Sequence, residues 1–79
     1  MNAIGNKSVN VLASGVWFTN DMLYVLFQDG REIGVSLLWF PQLRKASKEQ
    51  LNNWRFIGKG VGIHWEDLDE DISISALLE

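Results

Sequence analysis

Asp29-Gly30 sits between Met22–Gln28, a run apolar at nearly every position, and Arg31–Ser36, which alternates Ile33 and Val35 with Glu32, Gly34 and Ser36. An Asp-Gly step flanked in this way is a strong short-range hairpin signal, because Gly accepts the positive φ that a two-residue turn demands. The spacing therefore predicts two antiparallel strands. Because Met22–Gln28 is apolar on both alternating faces, it suits a central strand covered on each side. Val9–Phe18, rich in β-branched and aromatic residues and closed by Thr19-Asn20-Asp21, supplies a strand for its other edge. A three-stranded antiparallel meander is the expectation.

Pro41 cannot donate to a ladder, so Leu38-Trp39-Phe40-Pro41 marks the exit from this sheet. Ser47-Lys48-Glu49-Gln50 matches a capping box, which predicts a helix from Lys48 to Asn53, pinned to the sheet by Leu51 and Trp54. Gly58, Gly60 and Gly62 alternate with Lys59, Val61 and Ile63. In an extended segment that pattern leaves one face without side chains, open to a ring, a backbone or a ligand. Ser73 is placed to cap a last helical turn whose Leu77-Leu78 pair folds onto the core. The fold class is α+β: a small antiparallel sheet, the meander with room for one extra strand, packed against one or two short helices. Residues 1–8 are small and polar and are expected to form a flexible arm, leaving 9–79 as a single domain.

A domain of 79 residues buries too little surface to be more than marginally stable unaided, and with no Cys it has no disulfide to help. His64 is its one His, so thiolate or imidazole metal clusters are not expected, and no metal or cofactor is assigned. Stability must come from aromatic packing, four Trp, four Phe and one Tyr, or from association. The lack of Cys and of a long apolar run fits a cytoplasmic protein with no membrane partner.

The net charge of −3 argues against a nucleic-acid binder. Its distribution is lopsided: Arg44, Lys45, Lys48, Arg55 and Lys59 fill the middle, whereas Glu66, Asp67, Asp69, Glu70 and Asp71 follow them. The middle stretch, interleaved with Trp54 and Phe56, has the composition of a phosphate-contacting and base-stacking segment, or simply of a solvated helix. The acidic block lacks the Gly of a calcium loop and reads as a solvated loop or a negative partner-binding face. His64 beside Trp65 and Glu66 has the chemistry of a general base, but no Cys and no Ser in a nucleophile-elbow context accompanies it, so no catalytic residue is assigned. Gly58-Lys59-Gly60-Val61-Gly62 lacks the spacing and the Ser/Thr of a phosphate loop; with His64 it forms instead a ligand-facing candidate. Four indoles are hard to bury in so small a domain, and Trp39, beside Phe40 and Pro41 at the sheet exit, is expected to be exposed to a partner.

Taken in order, Asp29-Gly30-Arg31, Phe40-Pro41-Gln42-Leu43, Ala46-Ser47, Asn53-Trp54-Arg55, Ile57-Gly58, Gly60, Gly62-Ile63-His64-Trp65 and Leu68-Asp69-Glu70-Asp71-Ile72-Ser73 resemble the DUF2442 family over about residues 9 to 78. Glu66 departs from the pattern, which would have Pro after the Trp. The resemblance implies a small α+β fold, no established enzymatic activity, and bacterial or mobile-element origin. Members are similar to proteins encoded beside DUF4160 proteins in toxin–antitoxin pairs, which implies an antitoxin-like inhibitor of a toxin or of a defence nuclease. Some relatives carry an added helix-turn-helix domain; the chain closes after the signature, so direct operator binding is not expected. On this basis the domain is expected to be a non-catalytic protein-binding module. Glu66, Asp67, Asp69, Glu70 and Asp71 would meet a basic partner, with Trp39 or Trp65 as the aromatic anchor. The competing expectations are a small-molecule-binding domain using the Gly face and a self-associating structural module, a homodimer formed through an unpaired strand edge.

Overall fold

A computed structural model describes residues 11–78. The flexible arm expected for residues 1–8, and the first positions of the strand expected from Val9, lie outside the described residues. The meander forms as β1 (Ala13–Phe18), β2 (Met22–Phe27) and β3 (Glu32–Ser36), antiparallel and in that spatial order. β2 is central, with Leu23, Val25 and Phe27 buried on its inner face. Its outer face is covered too. Trp17 stacks on Tyr24 at 5.6 Å, and Tyr24 lies across Gly34, where an added Cβ would come within 2.6 Å of the ring. Those contacts explain why β2 is apolar on both faces although, among the described residues, no second layer covers its outer side.

The hairpin turn is longer by one residue than the Asp-Gly step alone implies. Phe27 N–H donates to the Arg31 carbonyl at 2.8 Å and Gly30 N–H to the Phe27 carbonyl at 3.0 Å, which leaves Gln28, Asp29 and Gly30 as a three-residue loop with Gly30 at φ 93°. The Asp29 carboxylate accepts from the Arg31 backbone N–H at 3.0 Å and from its guanidinium at 2.8 Å, which holds its carboxyl below the usual range.

At the sheet exit Ser36 Oγ accepts from Leu38 N–H at 3.1 Å and starts a 3₁₀ turn, Leu37–Trp39. Pro41 then opens α1 (Pro41–Arg44), where its missing N–H costs nothing. α2 (Lys48–Leu51) begins with the expected capping box: Gln50 N–H donates to Ser47 Oγ at 3.1 Å and Ser47 N–H to Gln50 Oε1 at 3.0 Å. It ends two residues early, because Trp54 belongs to the next strand.

Where the sequence left room for one extra strand, three form: β4 (Trp54–Ile57), β5 (Gly62–Trp65) and β6 (Glu70–Ser73), a second antiparallel sheet in that order. α3 (Ile74–Leu77) follows at once. Ser73 occupies its N-cap position but makes no capping bond; its Oγ lies 2.9 Å from Ser75 Oγ instead.

The two sheets share one core. Leu23, Val25 and Phe27 join Ile63, Trp65 and Ile72, with Leu37, Leu43 and Ile74 closing the ends. A backbone bond also ties the halves: Ala13 N–H donates to the Gly60 carbonyl at 2.9 Å. Among the described residues no helix is long and apolar enough to cross a membrane.

Candidate functional site

The outer face of the second sheet carries its polar chemistry. Strand register sets Arg55, His64 and Asp71 in one row across β4, β5 and β6. Residues directly opposite on one face are within side-chain reach, so the row is a set of interacting charges. His64 Nδ1 meets Asp71 Oδ1, while its Nε2 is 3.3 Å from Glu66 Oε1, and that oxygen is 3.8 Å from Arg55 Nε. The imidazole is 15 % exposed, far less than its partners.

The hydrogen bond to Asp71 raises the His64 pKa above its ordinary 6.5, against partial desolvation and with help from the charges of Asp71 and Glu66. Because the folded value is the higher one, the stabilisation this gives is fully present below pH 6.5 and is lost as pH rises through the raised value. NMR titration of the ring protons should place the midpoint above 6.5 and Asp71→Asn should lower it; a wild-type midpoint at or below 6.5 would contradict the geometry.

The acidic block is divided between several tasks. Glu66 and Asp71 flank His64. Asp67 Oδ2 accepts from Asn53 Nδ2 at 3.2 Å, and Leu68 packs against the core. Asp69 takes φ 51°, the left-handed conformation that short polar side chains tolerate, and closes the turn into β6. Glu70, half-buried, pairs with Trp65 across the strands. The block was expected as a loop, but Glu70 and Asp71 are strand residues whose alternation directs them to opposite faces. Among the described residues no group of three or more His, Asp or Glu side chains is arranged to hold a metal ion.

Trp39 is 78 % exposed and Leu38 68 %, at the tip of the 3₁₀ turn. Trp65, named beside Trp39 as an anchor, is fully buried: its ring meets Phe18 edge-on at 6.2 Å and its Nε1–H donates to the Leu51 carbonyl at 3.0 Å. It is a core pillar that a partner cannot reach. Trp54 and Phe56 also face inward, 4.9 Å apart and packed on the core, so they offer no stacking platform.

The glycines do not form the single extended face that their alternation suggests. Gly58 and Gly60 belong to the turn between β4 and β5, at φ 63° and 116°, and only Gly62 lies in a strand. Gly60 and Gly62 are buried. A Cβ on Gly60 would stand 2.4 Å from the Ala13 carbonyl oxygen, and one on Gly62 3.2 Å from the Ile72 carbonyl oxygen. Gly60 is met by the chain's own backbone and Gly62 by the Ile72 carbonyl and the Ile57 side chain, although Gly62 also lines a hollow of about 430 Å³ with Val61, Asp71 and Ser73.

Another hollow joins Asp71 to Trp39. Trp39 and Asp71 both line a concavity of about 420 Å³, together with Val35, Phe40, Ile72, Ser73, Ala76 and Leu77. Its location was not legible in sequence, because residues of edge strands from both sheets, Val35 of β3 and Asp71–Ser73 of β6, line it together.

Two three-stranded antiparallel sheets, short connecting helices, one shared core and an exposed Trp beside a charged row define a small α+β domain. The chain belongs to the family of proteins of unknown function DUF2442, whose model matches residues 13–79. It is similar to a protein of unknown function from Rhodospirillum rubrum known from its crystal structure, with a TM-score of 0.73 and 27 % identity over 86 % of this chain and 84 % of that one. No curated protein matches the chain.

Proposed function

We propose that the domain is a non-catalytic protein-binding module, antitoxin-like or otherwise an inhibitor of a basic partner protein. The observation that carries this is the exposure of Trp39 beside a hollow that Asp71 also lines. Interface energy concentrates in aromatic anchors that fill or frame a pocket, while charges at the rim set orientation and association rate. A partner's apolar side chain would enter between Trp39, Phe40 and Leu77. A lysine or arginine next to it would meet Asp71, and the turn around Asp69 would steer the approach. Antitoxin action needs no more from this chain than occupying a basic surface, which accords with a site built from one anchor and carboxylates.

Co-purification with the product of the adjacent gene, at low and at high salt, tests this. A complex that weakens with salt and is lost with Trp39→Ala is expected, while the variant's stability changes by less than about 0.5 kcal/mol, as for an exposed side chain. A wild-type protein that elutes as a lone monomer at both salt concentrations would overturn the proposal. A dimer without the neighbour, abolished by Trp39→Ala, would assign the hollow to a second copy of the chain.

A further inference from the structure

A cleft of about 500 Å³ lies between β1 and the α1–α2 segment. It is within the ~300–1,000 Å³ span of small-molecule sites and, like many of them, it lies between packed elements. Phe18 and Leu51 line it half-buried, with Leu43 fully buried beneath, while Asn20, Arg44, Lys48 and Asn52 supply its polar groups. Among the described residues no Asp or Glu lines it, although the chain has ten.

Its two cations are not engaged elsewhere. Arg31 and Arg55 pair with Asp29 and Glu66, but neither Arg44 nor Lys48 has an ion-pair partner among the described residues. Asp21 lines a smaller hollow with Arg44 and still forms no pair with it. The side-chain amides of Asn20 and Asn52 bond to no other described residue. An acidic protein thus brings two cations and two amides, none bonded to another described side chain, to one cleft over an apolar floor.

We propose that this cleft binds a small organic anion, its oxyanion head held by Arg44 and Lys48 and its apolar body lying on Phe18 and Leu51. The guanidinium offers a fork of donors matched to carboxylate or phosphate, and the ammonium adds a point charge. The site is separate from the Trp39 hollow, so neither proposal depends on the other.

The test is amide NMR of the whole chain titrated with phenyl phosphate, with phenylacetate and with inorganic phosphate. Phenyl phosphate or phenylacetate should shift Asn20, Arg44, Lys48 and Asn52, and whichever binds reveals the head group preferred. Either should bind about tenfold or more tightly than inorganic phosphate, since ring burial adds to the charge contact. The exposed double variant Arg44→Gln/Lys48→Gln should weaken binding by roughly tenfold or more with no change in unfolding midpoint, as for loss of charge-assisted hydrogen bonds. Equal affinity for phenyl phosphate and inorganic phosphate would reduce the cleft to ordinary surface cations and overturn the proposal. Retained affinity in the double variant, or no localised shifts with either aromatic anion, would overturn it too.

Discussion

Gly60→Ala is expected to destabilise the domain by about 2–3 kcal/mol, adding roughly 1–2 kcal/mol for a side chain at positive φ to about 1 kcal/mol for a lost hydrogen bond. The residue sits at φ 116°, and the new Cβ would stand 2.4 Å from the Ala13 carbonyl oxygen and 2.9 Å from its nitrogen. Both obstacles are backbone, which cannot swing aside as a flexible side chain does. Any shift that relieves them stretches the 2.9 Å bond from Ala13 N–H to the Gly60 carbonyl, which ties the first strand of the meander to the second half. For a domain of this size, total stability is only on the order of 4–12 kcal/mol, so the loss should be plain in a urea unfolding curve. Gly58→Ala is the control. It also has positive φ, at 63°, but its Cβ would meet only Val61 Cγ2 at 3.3 Å, so the cost should be about 1 kcal/mol. Equal midpoints for the two variants would mean that the approach of β1 to the Gly60 turn is not a tight junction.

Trp65→Ala should cost about 4 kcal/mol, in the range for removing a large aromatic from a packed core. The indole is fully buried between the sheets, touches Phe18, and satisfies the Leu51 carbonyl at the end of α2 through Nε1–H. Trp65→Phe keeps most of the volume and drops the donor, leaving that carbonyl without its partner, and should lose roughly 2 kcal/mol from packing and the hydrogen bond together. Near-UV circular dichroism and thermal unfolding separate the two. Alanine should erase much of the aromatic signal and lower the midpoint steeply; a Trp65→Ala variant within about 1 kcal/mol of the parent would mean that the second sheet does not depend on this ring.

Local signals carried the first half of the fold into view. Asp29-Gly30, the apolar run of β2, and Ser47 with Gln50 each act over a few residues, and each has its structural counterpart close to where the sequence places it. The second half was less legible because its signals conflict locally. Trp54 and Phe56 alternate like a strand yet follow a helix cap closely, and the glycines that read as an extended face are two turn residues and one strand residue. The acidic block has loop composition throughout, but cross-strand pairing with His64 and Trp65 draws Asp71 and Glu70 into β6. For the site, Trp39 was legible from its neighbours Phe40 and Pro41. Trp65 was not distinguishable from it, since only packing decides which indole of four is covered. The cation cleft had a composition signal, Arg44 and Lys48, but the absence of carboxylates around it is a fact of three dimensions.

The backbone clasp between Ala13 and Gly60 also bears on how the molecule assembles. Each hairpin joins neighbours in the chain and can close within microseconds, whereas the clasp links the opening strand to a turn more than halfway along, so its loop entropy must be met before any bond rewards it. The two sheets are therefore expected to form early and dock late, with quenching or shift of the Trp65 emission reporting the second event. A molecule caught between those events would have both sheets made and their inner faces uncovered, and for a moment it would be its own most accessible hydrophobic partner.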